Sequence, residues 1–385
     1  MKGFKNFVIY VENEGFVKTS LSVKDGKIYQ IGDNLDVENY GEFKEDVIVV
    51  PGFIDQHIHG AMSYDAMDAT PEALQGIANA VVKEGTTAFL ATTMTQSVEN
   101  ISNALRNVDQ YMKKDPKDGA RILGVHLEGP FISPKFVGAQ PIEHVQTPSV
   151  EIFKKYEEAS GYHIKEVTLA PEEGDALELI KYLKSKGIVA SIGHTNAGYA
   201  DVKKAVDAGA TNVTHTCNAQ KPLHHREIGT VGSALLFDEL NCEMICDTIH
   251  ISVPTIQLIT KVKPQDKVTL ITDAMRAKGM PDGDYELGGQ PVIVKGGEAR
   301  LENGTLAGSV LLMNRAVQNV NCKAHVELAR VIDMATINPA KGLGLASERG
   351  SIKEGKVADF VVLNKNFDVL MTIRDGNIVY NKEGE

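Results

Sequence analysis

Two histidines stand two positions apart in the segment 55–59, which reads Asp-Gln-His-Ile-His. On an extended backbone, side chains at positions i and i+2 point to the same side. His57 and His59 therefore offer a pair of imidazole nitrogens that could clamp a divalent metal ion. Taken alone, this pair is a weak signal, because histidines with no ligand role are common in cores and on surfaces.

Further metal-binding side chains stand where other apolar runs end. Glu128 ends one run, His194 and His215 end two others, and Asp273 ends the last. Two imidazoles with one carboxylate form the ligand set of many catalytic zinc sites, which keep a position open for water. A glutamate shared between two such sets could bridge two metals about 3.5–4 Å apart. Asp273 could be a ligand, a general base or both in turn. His126, two residues before Glu128, is expected to be a buried structural histidine.

These residues lie at or near the ends of apolar runs, of which the sequence contains eight. The runs cover residues 47–54, 87–93, 122–128, 164–169, 188–192, 212–215, 244–247 and 268–272. Their nearly continuous hydrophobicity is typical of strands buried on both faces. Helical patterns follow most of them, and several begin at a capping residue or Pro and end at Gly. This alternation predicts an α/β fold, a TIM-like (β/α)8 barrel in which the C-terminal strand ends meet on one face. A doubly wound open sheet is the alternative.

The two ends of the chain share a different pattern. Short strand-like segments lie on either side of Asp25-Gly26 near the start and of Asp375-Gly376 near the end, and these dipeptides favour hairpin turns. Neither end has enough strands for a stable sheet alone. We therefore predict a small β-sandwich domain formed by residues 1–50 and 345–385. Residues 51–344 would be the barrel, with a β-hairpin insertion at about 281–305.

Length, composition and charge exclude several classes of protein. The 385 residues are 43% apolar and 24% charged, as in ordinary globular proteins. The net charge of −11 argues against a broad nucleic-acid interface, although a locally basic pocket could hold a small anion. The absence of an 18-residue apolar run predicts no membrane span. Four cysteines are too few for a disulfide framework, which favours the reducing cytoplasm.

Several segments resemble the amidohydrolase superfamily. Residues 51–60, PGFIDQHIHG, are similar to its first-strand signature, and residues 350–362, GSIKEGKVADFVV, to its typical tail. Within it, the chain is similar to the N-acetylglucosamine-6-phosphate deacetylase family over essentially its full length. The segments that carry this likeness are HLEGPF at 126–131, TLAPE at 168–172, GHT at 193–195, TH at 214–215, NA at 218–219, REIG at 226–229, DTIH at 247–250, TDAM at 272–275 and TLAGS at 305–309. The fourth strand ends without the bridging lysine of many superfamily members, as is characteristic of the deacetylases.

The resemblance implies a metal-dependent barrel that hydrolyses the acetamide of an amino-sugar phosphate, in amino-sugar catabolism and cell-wall recycling. Glu128, His194 and His215 would hold one divalent ion. His57, His59 and Asp273 would complete a second site with Glu128 as the bridge, and Asp273 would be the catalytic acid and base. One or two ions per subunit are expected, zinc or iron first, with manganese or cobalt as alternatives.

The resemblance also implies a substrate site and an oligomer. The residues implied to line the sugar-phosphate site are Ala139, Gln140, Asn218, Ala219, Arg226, His250, Leu306, Ala307 and Gly308. Arg226 would bind the phosphate, either within its own chain or across the interface of a homodimer or homotetramer. Another amidohydrolase activity, such as a cyclic amidase or a deaminase, is the alternative enzyme, and a non-catalytic scaffold on the same fold is the alternative class.

Overall fold

The computed structural model describes residues 1–384, starting with five strands that belong to one sheet. Their bounds are β1 Lys2–Val11, β2 Gly15–Lys24, β3 Lys27–Gly32, β4 Glu38–Asn39 and β5 Val47–Pro51. The turn between β2 and β3 is Asp25-Gly26, where both residues have positive φ, 52° and 72°. That backbone matches the right-handed twist of the two strands, so the hairpin forms where the sequence predicts it.

The next strands build the barrel. In chain order they are β6 Phe53–Ile58, a small hairpin of β7 Gly60–Ala61 and β8 Tyr64–Asp65, β9 Thr86–Thr93, β10 Arg121–Glu128, β11 Ile164–Leu169, β12 Val189–Ile192, β13 Asn212–Val213, β14 Asn241–Ile245 and β15 Val268–Ile271. Apart from the small hairpin, these eight strands are parallel and pair in sequence order. The predicted (β/α)8 barrel is thus confirmed.

The seam of the barrel lies between its first and last strands. Ile58 and Ala274 form a parallel bridge there. The backbone N–H of Asp273 donates to the carbonyl of His57 at 2.8 Å, and the N–H of His59 donates to the carbonyl of Ala274 at 2.9 Å. These bonds hold two histidines from the start of the barrel beside an aspartate from its end.

One sequence prediction is wrong in detail. The apolar run 47–54 is two strands, because β5 pairs with strands of the end sheet whereas β6 pairs with β9 in the barrel. Gly52 lies between them, and a Cβ there would come within 2.2 Å of the Thr87 hydroxyl. The chain therefore passes from one sheet to the other at a residue where any larger side chain would require Thr87 to move.

Helices cover the barrel. They are α1 Pro71–Val81, α2 Val98–Lys114, α3 Val150–Ala159, α4 Ala176–Ser185, α5 Tyr199–Ala208, α6 Gly229–Leu236, α7 Val253–Val262, α8 Met313–Gln318, α9 Leu328–Ala335 and α10 Ile337–Gly342. Thr70, Ser97 and Ser149 cap α1, α2 and α3 with side-chain oxygens that accept from the first turn. Among the described residues, no helix combines the length and the apolar character needed to cross a membrane.

The segment after the barrel's last strand differs from the hairpin predicted there. It forms three antiparallel strands, β16 Gly283–Leu287, β17 Gln290–Lys295 and β18 Glu298–Leu301. The two turns are Gly288-Gly289 and Gly296-Gly297, all with positive φ. Its buried side chains pack against Met94, Met275 and Ala307 beside the barrel mouth.

The last strands, β19 Phe360–Asn364, β20 Val369–Arg374 and β21 Asn377–Asn381, complete the end sheet. The strand order is β21-β20-β19-β5-β1-β2-β3, with β4 beside β1. The sheet curls over one core, because Ile28 near one edge and Ile373 near the other lie in the same buried cluster. Both chain ends therefore build one small β domain, while the exact boundaries 1–50, 51–344 and 345–385 stay a prediction.

Candidate metal centre and active site

The candidate ligands lie at the C-terminal mouth of the barrel. His57 is within β6 and His59 just beyond it, and Glu128 is the last residue of β10. His194, His215 and Asp273 each lie two residues beyond a strand and have positive φ of 47°, 30° and 48°. This left-handed backbone is uncommon for residues other than glycine and is typical of functional sites. It ends each strand sharply.

Four imidazoles surround the carboxylate of Glu128. Its Oε1 lies 3.0 Å from His215 Nε2, 3.2 Å from His194 Nε2 and 3.5 Å from His57 Nε2. Its Oε2 lies 3.2 Å from His59 Nε2. Three imidazoles therefore face one oxygen of this buried carboxylate and the fourth faces the other, so both oxygens lie next to candidate ligands, as those of a bridging ligand would.

Asp273 completes the second half of this cluster. Its Oδ1 lies 3.4 Å from His57 Nε2 and 3.3 Å from His59 Nε2. Donor atoms on a tetrahedral ion with bonds of about 2.0–2.1 Å are about 3.3 Å apart, so the observed spacing fits a metal. The buried His57 Nε2 has no hydrogen-bond partner among the described residues, as expected of a ligand atom. The donor set therefore fits a divalent metal. The six candidate ligands are called the metal cluster below: His57, His59, Glu128, His194, His215 and Asp273.

Neighbouring carboxylates and imidazoles in the cluster shift each other's pKa values. Burial alone would raise the pKa of Glu128, but the imidazoles of His57, His194 and His215 hold it well below its usual range. Likewise, His57 and His59 outweigh burial and lower the pKa of Asp273 to about 2. Burial would lower the pKa of His59, yet Asp273 and Glu128 raise it to about 10. Two ionised carboxylates here require positive charge, from protons or from metal.

Beneath the cluster, His126 is fully buried and contacts no Glu128 oxygen within hydrogen-bond distance. Its Nδ1 lies 3.2 Å from the carbonyl of Gln56, and its Nε2 lies 2.7 Å from the hydroxyl of Thr168. Burial, together with neighbouring His57, lowers its pKa to about 3. His126 is therefore a neutral, hydrogen-bonded histidine, consistent with the structural assignment made from sequence.

Two buried carboxylates near His126 were missed by the sequence analysis. Glu243 in β14 and Glu166 in β11 are both fully buried, and both accept hydrogen bonds from Gln56 Nε2, at 2.6 and 3.2 Å. Their signal was a glutamate in the interior of a short strand whose other residues are mostly buried. Burying such a side chain costs free energy unless it is paired or hydrogen-bonded, so its position indicates a structural or functional role.

A cavity of about 330 Å³ opens above the metal cluster, at the small end of the range for ligand pockets. Seven of the nine substrate residues named from sequence line it: Ala139, Gln140, Asn218, Ala219, His250, Leu306 and Gly308. Ala307 is fully buried next to this lining and donates its N–H to the carbonyl of Ala299. The three-stranded segment adds Leu287 and Arg300, which the sequence analysis missed.

Gln140 and His250 are held firmly at the cavity wall. Gln140 donates from Nε2 to Glu128 Oε2 at 2.7 Å and accepts at Oε1 from the N–H of Thr95 at 2.7 Å. His250 Nδ1 lies 2.6 Å from Asp247 Oδ2, which leaves its Nε2 for a ligand. Asp247 also accepts from the backbone N–H of His250, so the ring and the backbone of His250 are both held by the same carboxylate.

The chain by itself does not bring Arg226 to this cavity. Arg226 is exposed in the segment between β13 and α6, with Nη1 2.7 Å from His225 Nε2. Exposed Leu223 lies in the same segment. The phosphate role of Arg226 therefore stays a prediction, and its exposed guanidinium, which contacts His225, is accessible to another molecule.

Comparisons with known proteins agree with this geometry. The Amidohydrolase family profile matches residues 48–379. An N-acetylglucosamine-6-phosphate deacetylase of Bacillus subtilis strain 168 is 42% identical over 99% of this chain and 98% of its own. The crystal structure of the Thermotoga maritima enzyme of that name covers 99% of this chain and 100% of its own, at 34% identity and a TM-score of 0.90. A structure of a Mycobacterium smegmatis deacetylase variant in complex with N-acetyl-D-glucosamine 6-phosphate has a TM-score of 0.91 at 28% identity, covering 99% of both chains. These matches, together with the barrel and its candidate metal ligands, show that the chain belongs to the amidohydrolase family.

Proposed function

We propose that this amidohydrolase removes the acetyl group of N-acetyl-D-glucosamine 6-phosphate and yields D-glucosamine 6-phosphate and acetate. The observation that carries the proposal is the position of Asp273, whose carboxylate belongs to the metal cluster and also lines the cavity. The substrate follows from the likeness to deacetylases over nearly the whole chain. The reducing cytoplasm is the proposed compartment, in keeping with four unpaired cysteines.

The residues divide into two metal positions. Glu128, His194 and His215 would hold one ion, and His57, His59 and Asp273 would hold a second ion with Glu128 as the shared ligand. Donor spacings of 3.0–3.2 Å in the first set and 3.2–3.5 Å in the second support this assignment. Imidazole and carboxylate ligands suit zinc, iron, manganese and cobalt, and we propose zinc or iron.

The chemistry of the chain's own residues centres on Asp273. When bound, a divalent ion would polarise the amide carbonyl and make water more acidic. Asp273 is ionised at neutral pH, so it can accept a proton from water as the water oxygen bonds to the carbonyl carbon. The same proton then passes to the sugar nitrogen as the carbon–nitrogen bond breaks, because an unprotonated amide nitrogen is a poor leaving group. Asp273 ends the cycle ionised.

The cavity walls would bind the rest of the sugar phosphate. Asn218 and Ala219 on one side and the backbone at Leu306 and Gly308 on the other are within the lining. His250 would donate from Nε2 to a phosphate or hydroxyl oxygen, since Asp247 engages its Nδ1. These groups would orient the acetamide toward the metal cluster.

Arg226 would reach the phosphate from a second subunit of a homodimer or homotetramer. Arg226 is exposed and is not among the residues that line its own cavity, and Leu223 beside it is also exposed, which supports an intersubunit role. A guanidinium can bind two phosphate oxygens at once, so one such group could balance the substrate's charge despite the acidic chain.

Substrate profiling tests the proposal against the other amidohydrolase activities. The purified protein is incubated with N-acetylglucosamine 6-phosphate, with unphosphorylated N-acetylglucosamine, with a cyclic amide and with an aminated heterocycle. We expect acetate release that is fastest for the phosphorylated sugar. Ammonia release or ring opening with no acetate would assign a deaminase or cyclic amidase, and no turnover of any kind by the metal-loaded protein would favour a scaffold.

A further inference from the structure

The four candidate histidine ligands differ in what their second ring nitrogen contacts. His194 Nδ1 faces the carbonyl of Phe136 at 3.0 Å. The buried Nδ1 atoms of His59 and His215 have no hydrogen-bond partner within residues 1–384. His57 Nδ1 alone among the four lies beside a carboxylate, 3.4 Å from Glu243 Oε2. The ring of His57 is therefore held between Glu243 on one side and the metal cluster on the other.

The hydrogen bonds around Glu243 show that it acts as an acceptor on both oxygens. Its Oε1 accepts from Gln56 Nε2 at 2.6 Å, and its Oε2 accepts from the backbone N–H of His215 at 3.2 Å. A fully buried carboxyl surrounded by donors is the arrangement expected of an ionised group. Glu243 thus contacts one candidate ligand of each metal position, His57 through its ring and His215 through its backbone.

A histidine can bind metal through Nε2 only when that nitrogen carries no proton, so a neutral ring must be protonated at Nδ1. A carboxylate beside Nδ1 selects this tautomer, fixes the ring orientation and makes the ligand nitrogen more basic. We propose that Glu243 is a positioning residue of the metal centre, which holds His57 with Nδ1–H toward its carboxylate and Nε2 toward Glu128 and Asp273. This inference rests on the metal centre of the proposed function.

Glu166 provides a matched control within the same network. It is as fully buried as Glu243, accepts from the same Gln56 Nε2 at 3.2 Å and from Asn212 Nδ2 at 3.0 Å, and makes no hydrogen bond to a candidate ligand. Replacing either glutamate with glutamine preserves volume. The two substitutions therefore differ mainly in whether they change the contacts to His57 and to the backbone of His215.

The test measures zinc affinity and stoichiometry of the wild-type protein, Glu243→Gln and Glu166→Gln by competition with a chromophoric chelator. Loss of an outer-shell partner typically weakens metal binding about 10- to 100-fold. We expect that loss for Glu243→Gln at the position containing His57, and wild-type affinity for Glu166→Gln. Equal affinity in all three proteins, or an equal loss in both variants, would overturn the inference. A wild-type protein that binds no metal would instead overturn the proposed function.

A second measurement needs no folded variant of Glu243. In zinc-loaded wild-type protein with ¹⁵N-labelled histidine, NMR reports which nitrogen of each ring carries a proton. The His57 signals are identified by their loss in His57→Asn. We expect a proton on His57 Nδ1 with hydrogen-bonded chemical shift, and a His57 ring without a proton at Nδ1 would contradict the role of Glu243.

Discussion

Gln140 Nε2 donates a 2.7 Å hydrogen bond to Oε2 of Glu128, the carboxylate at the centre of the metal cluster. The amide of Gln140 has one orientation, because its Oε1 accepts from the N–H of Thr95 at 2.7 Å. Gln140 therefore joins the loop after β10 to the candidate bridging ligand. This gives a physical role to a residue that the sequence placed near the substrate without a specific function.

We predict that Gln140→Leu lowers both stability and metal affinity. The Thr95 N–H and Glu128 Oε2 each lose a partner in a buried site, which typically costs about 1–3 kcal/mol per group. Thermal unfolding and metal titration measure the two effects. Gln146→Leu is the control, because Gln146 lies in the same loop but bonds to the Tyr156 hydroxyl. Similar metal affinities for both variants would show that Gln140 does not support Glu128.

Metal binding should release protons and weaken as the pH falls. In the metal-free protein, Asp273 and Glu128 raise the pKa of His59 to about 10 against the effect of burial. At pH 7 that ring is therefore protonated, and a metal must displace its proton. Each displaced proton lowers affinity by about tenfold per pH unit of acidification below the pKa.

Calorimetric metal titration in buffers of different ionisation enthalpy counts these protons. The variant His59→Asn should release one proton fewer than the wild-type protein at the same pH. Metal affinity that is constant between pH 6 and pH 8, with no proton release, would contradict the electrostatic account of the cluster.

Mixed oligomers test whether Arg226 acts across a subunit interface. Arg226→Ala and Asp273→Asn proteins should each be nearly inactive on the phosphorylated sugar. When the two are unfolded, mixed and refolded, a mixed dimer would contain one complete site, built from Asp273 of one subunit and Arg226 of the other. Random pairing into dimers then predicts recovery of about a quarter of wild-type activity. No recovery, with mixed dimers verified by mass spectrometry, would place Arg226 in its own subunit's site or outside any site.

Asp273→Asn should keep the fold and lose turnover. The amide cannot accept the water proton, and general acid–base catalysis typically contributes about 10²–10⁴-fold to the rate. Circular dichroism would verify the fold, and metal analysis would verify the position formed by Glu128, His194 and His215. Near wild-type turnover by the metal-loaded variant would assign the proton transfer to another group.

The sequence predicted the metal cluster because each member stands at or just past the end of an apolar strand, and a parallel barrel brings such ends to one face. His57, Glu128 and Asp273 could therefore be grouped although they are far apart in the chain. Glu243 was not found in the same way, because it lies inside a strand. A strand buried on both faces has no amphipathic pattern to show which side chains point into the barrel.

Two other features, the division of the run 47–54 and the exposure of Arg226, depend on tertiary contacts, whereas the third strand after β15 could have been predicted from the sequence. The run 47–54 is continuous in hydrophobicity, and only the pairing of β5 with the end sheet and of β6 with β9 shows where the chain leaves one sheet for the other. The two Gly-Gly turns after β15 were visible in the sequence and would have indicated three strands, had each been counted as a turn. The exposed position of Arg226 follows from tertiary structure alone.

The central claim is that this metal cluster hydrolyses the acetamide of a 6-phosphorylated amino sugar. The most direct measurement is acetate release from N-acetylglucosamine 6-phosphate by protein as purified, after chelation, and after addition of zinc or ferrous iron. We predict turnover that chelation abolishes and metal restores, with one glucosamine 6-phosphate formed per acetate. Unchanged turnover in verified metal-free protein, or no acetate from fully metal-loaded protein, would contradict the account.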